Sequence, residues 1–252
     1  MMFKAMKSII VFSIMVLMSF VFYSCGLDNA ETSDDYLIER SSFDEGTEGW
    51  VAEFADYPEG LEDSMKLSST HSPLYVSEYV GNVSALKQSG YATNSDLFMF
   101  VKQEVSGLRP NSRYAIQIEV ELSSQLLEEY AGDIDNPDFG SFLKVGAFKE
   151  EPVTILEEDI DNPEQKIVRT DFDKGENDKG GSDMLMIGRL EYTPFGETPI
   201  MLNGANEDVL LNTVTDSEGK LWIAVGVDTN IPVFQEISYT FIFVQFLYQE
   251  SL

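Results

Sequence analysis

The sequence predicts an all-β protein, an antiparallel β-sandwich with very little helix, on three observations. From Tyr36 onward, short segments rich in β-branched and aromatic residues alternate with Gly, Asn, Asp and Pro turns. Within the clearest of these segments apolar and polar residues alternate with a period of two, as on a half-buried strand. No stretch shows the 3.6-residue period of a long helix, and LEEYAG (127–132) offers one helical turn at most.

Strands are expected over 49–55, 63–69, 74–80, 95–105, 112–122, 141–149, 165–171, 184–192, 220–228 and 235–248. SDLFMFVKQEV (95–105) sets Leu97, Met99 and Val101 on one face and Phe98, Phe100 and Lys102 on the other. SRYAIQIEVEL (112–122) sets Tyr114, Ile116, Ile118, Val120 and Leu122 against Ala115, Gln117, Glu119 and Glu121. Between them GLRPNS is a turn, with Pro110 fixing φ and Asn111 tolerating the left-handed region. EISYTFIFVQFLYQ (235–248) is too apolar on both faces for an open edge and must be central or covered. The pentapeptide at Asp133–Pro137 recurs at Asp159–Pro163, too short an echo to mark a repeat.

Of 252 residues, 44 are acidic and 16 basic, a net charge of −28, while 43% hydrophobic and 12% aromatic content supports a real core. Such a chain repels phosphate backbones, so nucleic acid and anionic headgroups are disfavoured as partners, and a neutral ligand or a divalent cation is favoured. Cys25 is the only cysteine, so no intramolecular disulfide forms. Ahead of it lie Lys4, Lys7 and an apolar run from Ile9 to Tyr23, shorter than the roughly 20 residues a membrane-spanning helix needs. That is the build of a secretory signal.

Ser24-Cys25 resembles the lipobox of bacterial lipoproteins, in the looser form found in Bacteroidetes-type bacteria, with Phe22 and Tyr23 in front. The resemblance implies cleavage after residue 24 and acylation of Cys25 by diacylglycerol and palmitate-type chains. It also implies a membrane partner through that lipid. Gly26 rather than Asp after the cysteine implies the outer membrane, on its periplasmic or cell-surface side. The chain then divides into a signal peptide (1–24), a lipidated cysteine with a flexible acidic tether (25–35) and one β-sandwich domain (36–252).

FDEGTEGW with VAEFADYP (43–58), SGLRPNSRYAIQIEVEL (106–122) and LWIAVGVDT with YTFIFVQF (221–246) resemble the opening, middle and closing strands of jelly-roll, galactose-binding-like domains related to carbohydrate-binding modules. FADYP, SDLFMF, LKVGAF, DFDKG and LWIAVGVDT together are also similar to a secreted bacterial family of uncharacterised function. The first resemblance implies a non-catalytic module for carbohydrate or another neutral ligand. The alternative is a structural or protein-interaction envelope lipoprotein.

His71 is the only histidine and no GxSxG occurs, so a Ser-His-Asp enzyme and a zinc cluster lack their parts. A two-carboxylate glycoside hydrolase is the catalytic option left, and no enzyme is expected. Trp50, Tyr57, Tyr91 and Tyr192, all beside turns, are candidate sugar-stacking faces, with a core role for Trp50 left open; Trp222, between Leu221 and Ile223, reads as core. DFDKGENDKGGSD (171–183) offers Asp171, Asp173, Glu176, Asp178 and Asp183 on a glycine-rich loop, hard oxygen ligands suited to structural Ca²⁺ though not in EF-hand spacing.

Overall fold

A computed structural model describes residues 30–32, 36–92, 96–127, 140–160 and 162–252. The signal segment, Cys25, most of LEEYAG and the first copy of the pentapeptide lie outside the described residues. Every regular element among the described residues is a strand. The larger sheet holds β1 (Ala30–Thr32), β2 (Tyr36–Ser41), β5 (Ser68–Ser77), β6 (Gly81–Tyr91) and β8 (Ser112–Leu126), with β13 (Thr193–Pro194), β14 (Leu202–Ala205), β15 (Leu211–Val214) and β17 (Phe234–Ser251). The second sheet runs in the order β12 (Met184–Arg189), β9 (Ser141–Phe148), β16 (Leu221–Thr229), β7 (Leu97–Val105) and β3 (Val51–Ala55). A small third sheet joins β10 (Thr154–Glu158), β11 (Lys166–Thr170) and β4 (Tyr57–Pro58). All pairings are antiparallel except β13 with β8.

Alternation decides which faces meet. Ile116, Ile118, Val120 and Leu122 of β8 point inward from the larger sheet, and Leu97, Met99, Val101, Ile223, Val225 and Val227 point inward from the second. These residues form one buried cluster between the sheets, the sandwich core. Gln235 stitches the sheets at one end, its Nε2 donating to Ser124 Oγ of one sheet at 2.8 Å and Ser141 Oγ of the other at 2.9 Å. β17 is central, as its two apolar faces require. One side pairs with β8 along its length; the other pairs with β6 over Phe234–Tyr239 and with β2 over Ile242–Leu247.

Several strands escaped the sequence pattern. β6 (GNVSALKQSGY) has too few large residues to show alternation, yet Leu86 faces the core and Gly90 lies tight against Leu67 and Leu97. A Cβ there would meet both leucines at 2.7 Å, so the missing side chain is the packing signal. The stretch 63–67 is a turn, with the amides of Met65 and Leu67 bonded to the carbonyls of Leu61 and Glu62, and β5 begins only at Ser68. Asn111 takes φ 46°, as the turn reading required.

The phenylalanine rings on the outward face of the second sheet are covered. Phe98 and Phe100 stack at 5.1 Å, and Phe172, from the excursion between β9 and β12, meets both edge-on. Gly226 of β16 leaves the space in which Phe98 lies, since a Cβ would come within 2.5 Å of that ring. Gly226→Ala is therefore expected to destabilise the fold by about 1–3 kcal/mol through overpacking, read as a lower urea midpoint at unchanged m-value. An unaltered midpoint would show that the ring can move aside.

Candidate functional site

The larger sheet leaves its outward face open, and a groove forms where β17 changes register. Before Thr240 the odd residues Ile237 and Tyr239 face the core; after it the even residues Ile242, Val244 and Phe246 do. Thr240 is the extra residue of a β-bulge opposite Leu122 and Glu121 of β8. A bulge re-aims the side chains beside it. Here it turns Phe241 outward and places the Thr240 hydroxyl on Glu121, donating to its Oε1 at 2.7 Å. Glu119 lies two residues along the same face, about 6.8 Å away by the strand rise, and its Oε1 accepts from Gln117 Nε2 at 3.1 Å.

On one side of this ridge a cleft of about 750 Å³ is lined by Glu119, Glu121, Asn203, Asp208 and Phe241 and also by Met186 and Ile187 of β12, an edge strand of the second sheet, so it is not confined to the outward face. It opens where β14 ends and β15 has not begun. There Asn206 replaces the missing strand partner: its Oδ1 accepts from the Ile118 amide at 2.6 Å and its Nδ2 donates to the Ile116 carbonyl at 3.0 Å. On the other side a cleft of about 390 Å³ is lined by Ser42, Asp44, Asn82 and Ser84, and again by Glu121, Thr240 and Phe241. Neither cleft has a Lys or Arg in its lining among the described residues. On the same sheet face Arg40 stacks over Phe243, 5.5 Å from its centroid. The arrangement can accept hydrogen bonds from several hydroxyls and pack an apolar ring face against Phe241.

A second polar centre lies on the outward face of the second sheet, where Asp56, Asp96, Arg169 and Lys174 line a cleft of about 570 Å³ with Phe172, Asp173 and Glu176. Lys144, fully buried, gives its ammonium to Asp228 Oδ2 at 2.7 Å. Lys174 reaches the same oxygen at 2.8 Å and Asp56 Oδ2 at 2.9 Å. Arg169 closes the group, 2.6 Å from Asp56 Oδ1 and 3.5 Å from Asp96 Oδ2. One oxygen from each of Asp56, Asp96 and Asp228 falls within 4.8 Å of the others, an arrangement suited to a metal ion. The Lys174 ammonium lies among them and supplies the positive charge. Burial opposes its charged form, but Asp228 and Asp56 outweigh burial and hold it well above the ordinary lysine range. Burial dominates at Lys144 and pushes it down, with Asp228 opposing. Burial, with Asp56 adding repulsion, raises Asp96 to about 7.

The sequence candidates fall in different places. Trp50 is 3% exposed in the core, its Nε1–H bonded to Ser41 Oγ at 2.9 Å, and Tyr57 is 8% exposed in the same core. Neither presents a ring face to solvent, which corrects the stacking expectation for both. Tyr91 is half-buried at the end of β6, and Tyr192 packs against Leu126, Ile231 and Val233; neither lines the groove. Trp222 is half-buried on the outward face of the second sheet, with Lys102 Nζ 5.9 Å from its ring. His71 stands exposed on β5, with Nε2 2.6 Å from the Phe43 carbonyl oxygen.

Three of the five acids of 171–183 accept from backbone amides. Asp171 accepts from the Val153 amide, and Asp183 from that of Asp173. The amides of Ser182 and Gly175 bond the Asp173 carboxylate and hold it below the usual range. None of the five, Glu176 and Asp178 included, belongs to the metal-like trio. Lys174 of the loop pairs with two of that trio, and Asp173 and Glu176 line the same cleft.

No protein-family model matches the chain, and no curated protein matches it. Solved structures similar to it include the CBM22-1 xylan-binding domain of Paenibacillus barcinonensis Xyn10C, at 12% identity over 84% of this chain and 94% of that one, TM-score 0.36. Others are the xylan-binding module CBM15 (15%, 85% and 98%, TM-score 0.33) and TmCBM61 in complex with β-1,4-galactotriose (10%, 77% and 86%, TM-score 0.34). Values this low transfer neither a ligand nor a site to this chain.

Two measurements probe this charged centre. The folded state binds the Asp96 proton more tightly than the unfolded chain, so this group's contribution to stability falls as pH rises from about 4 to about 7. Asp96→Asn is expected to gain melting temperature relative to wild type between pH 5 and pH 8; an opposite or absent trend would contradict the assignment. Because Lys174 already supplies the cation, the melting temperature is expected to be the same in EDTA and in millimolar calcium. A rise of several degrees with calcium would restore the loop as a metal site.

Proposed function

We propose that this chain is a lipid-anchored envelope protein whose β-sandwich binds a neutral, polyhydroxylated ligand of the carbohydrate class without catalysis. The observation that carries the reading is the groove around Phe241, lined by carboxylates, amides and hydroxyls and by no base. Carboxylates accept bonds from sugar hydroxyls, the phenyl ring packs on the apolar face of a pyranose, and like charge repels uronates and sulfated sugars. Ligand sites combine a cleft of this size with a few fixed polar groups, and Thr240 fixes Glu121 in that way.

Glu119 and Glu121, about 6.8 Å apart on one face of β8 by the strand rise and lining one cleft, meet the carboxylate spacing of an inverting glycosidase. That makes hydrolysis the second reading; release of reducing ends from a polysaccharide that binds would establish it. A protein-interaction reading has one observation in its favour: Tyr79 and Val80 stand exposed at the tip of the β5–β6 hairpin. The anchor rests on Cys25 and the signal before it, with the outer membrane as the location that Gly26 favours.

The test is affinity electrophoresis and glycan-array binding of the chain from Gly26 onward. Wild type is expected to retain neutral polysaccharides and not uronate or sulfated ones. Phe241→Ala is expected to weaken retention about tenfold or more, the scale of one apolar ring contact. Absence of retention by wild type, or unchanged retention by Phe241→Ala, would overturn the reading. Labelled palmitate is expected in wild type and not in Cys25→Ala; equal labelling would remove the anchor.

A further inference from the structure

We infer that the tip of the β5–β6 hairpin is a second membrane contact, which inserts Tyr79 and Val80 into the headgroup region of a neutral bilayer. The inference rests on the lipid-anchor reading and adds to it how the domain is held against that membrane. Tyr79 is fully exposed, Val80 is 60% exposed, and Tyr75, opposite Asn82 just below them, is 49% exposed. Three such side chains on one projection differ from the single apolar residues scattered over any protein surface.

The hairpin is built to project. β6 pairs with β17 only from Tyr91 to Leu86, and further along that edge the place beside β17 belongs to β2. From Leu86 to Gly81 is five residues, about 17 Å by the strand rise, over which β6 is paired with β5 and no longer with β17. The turn at its end is fixed rather than slack. Ser77 and Gly81 close it, the Ser77 hydroxyl accepts from the Val80 amide at 3.1 Å, and Gly81 takes φ 79°, the left-handed position that such a loop needs. The three residues between them, Glu78, Tyr79 and Val80, are all exposed.

The tether leaves from the same edge of β17. β2 takes the place that β6 vacates, β1 lies outside β2, and Ala30 of β1 is five residues from Cys25. Five residues span at most about 18 Å, so an acylated Cys25 keeps the bilayer surface within a distance comparable with the projection of the hairpin. Tyrosine suits that surface, with its ring at the apolar edge and its hydroxyl among the headgroups. The tip carries Glu78 and no base, which favours zwitterionic lipid over anionic. A protein partner is the weaker match, because the three side chains offer only a few hundred Å² against roughly 800 Å² per partner in a stable interface. A bilayer already held by the anchor asks for less, since the tip meets it at high effective concentration.

The acylated chain in vesicles of phosphatidylcholine and phosphatidylethanolamine tests this. Cys25 is blocked by its lipid, so Val80→Cys supplies one free thiol for an environment-sensitive dye. Ile160→Cys supplies the control, 96% exposed between β10 and β11 and preceded by Glu157, Glu158 and Asp159. The Val80 probe is expected to shift to the blue and to be quenched by spin-labelled lipid, and the Ile160 probe to do neither. Tyr79→Ser, added to the Val80→Cys chain at a position too exposed to matter for folding, is expected to lower the docked-to-undocked ratio about tenfold.

A Val80 probe as wet as the Ile160 probe, on vesicles that carry the protein, would overturn the docking and leave the tip to a protein partner, with the anchor reading intact. A chain that bears no acyl group and does not float with the vesicles would overturn the anchor reading, and the docking with it.

Discussion

The ladder between β8 and β17 is the constraint from which the rest of the sandwich follows. It is the longest pairing among the described residues, from Gln235 with Leu126 to Ser251 with Ser112, and β2, β6, β13, β14 and β15 attach directly to one of these two, with β1 and β5 outside β2 and β6. A ladder that long cannot keep both faces regular while the sheet twists, and the bulge at Thr240 absorbs the mismatch. One extra residue changes which residues face inward, so Tyr239 and Ile242 both reach the core and Phe241 is left outside. The feature that lets the core close is thus the one that builds the open groove.

The two outward faces show two answers to the same physical problem. The second sheet carries Phe98, Phe100, Lys102 and Lys144 outward, a mixture unstable in water and costly when buried unpaired. The chain resolves it with the excursion between β9 and β12. Phe172 covers the rings, Lys102 finds Glu53 at 2.6 Å and Glu151 at 2.8 Å, and Lys144 shares Asp228 with Lys174. Removing one partner from such a group leaves a buried charge uncompensated, a loss of about 3–5 kcal/mol. The strap is therefore structural cover. Among the described residues the larger sheet has no such strap over the bulge: its outward face there carries hydroxyls, amides and carboxylates beside Phe241, and Arg40 lies over Phe243.

Sequence pattern disclosed the part of this that depends on alternation. The faces of β7 and β8, the central place of β17 and the turn at Asn111 follow from residue order alone, because period-two alternation reports which side is dry. It was silent where the information lies in a neighbour. β6 is held by Gly90 and Leu86 against Leu67 and Leu97, and β14 and β15 by pairing with β8; none shows a pattern of its own. The candidate site failed for a related reason. Trp50 and Tyr57 were conspicuous as aromatics beside turns, but a turn brings the chain back over the core as readily as it exposes it. Phe241 was hidden inside YTFIFV, read as a strand apolar on both faces. The break of alternation at Tyr239-Thr240-Phe241 was itself the sign of a bulge.

The acidic composition acquires a local meaning from this arrangement. Of the few bases, Lys102, Lys144, Lys174 and Arg169 are committed to ion pairs on the second sheet, Lys87 pairs with Glu236 at 3.3 Å and Arg113 with Glu250 at 3.3 Å. Arg40 is stacked on Phe243. Bases spent in this way on closing one face and pinning strand ends are not present in the lining of the groove on the other face. A net charge of −28 spread evenly would only favour solubility. Sorted as it is, with cations gathered under the strap and carboxylates left beside Phe241, it makes the field in those clefts negative, and a negative field repels anions.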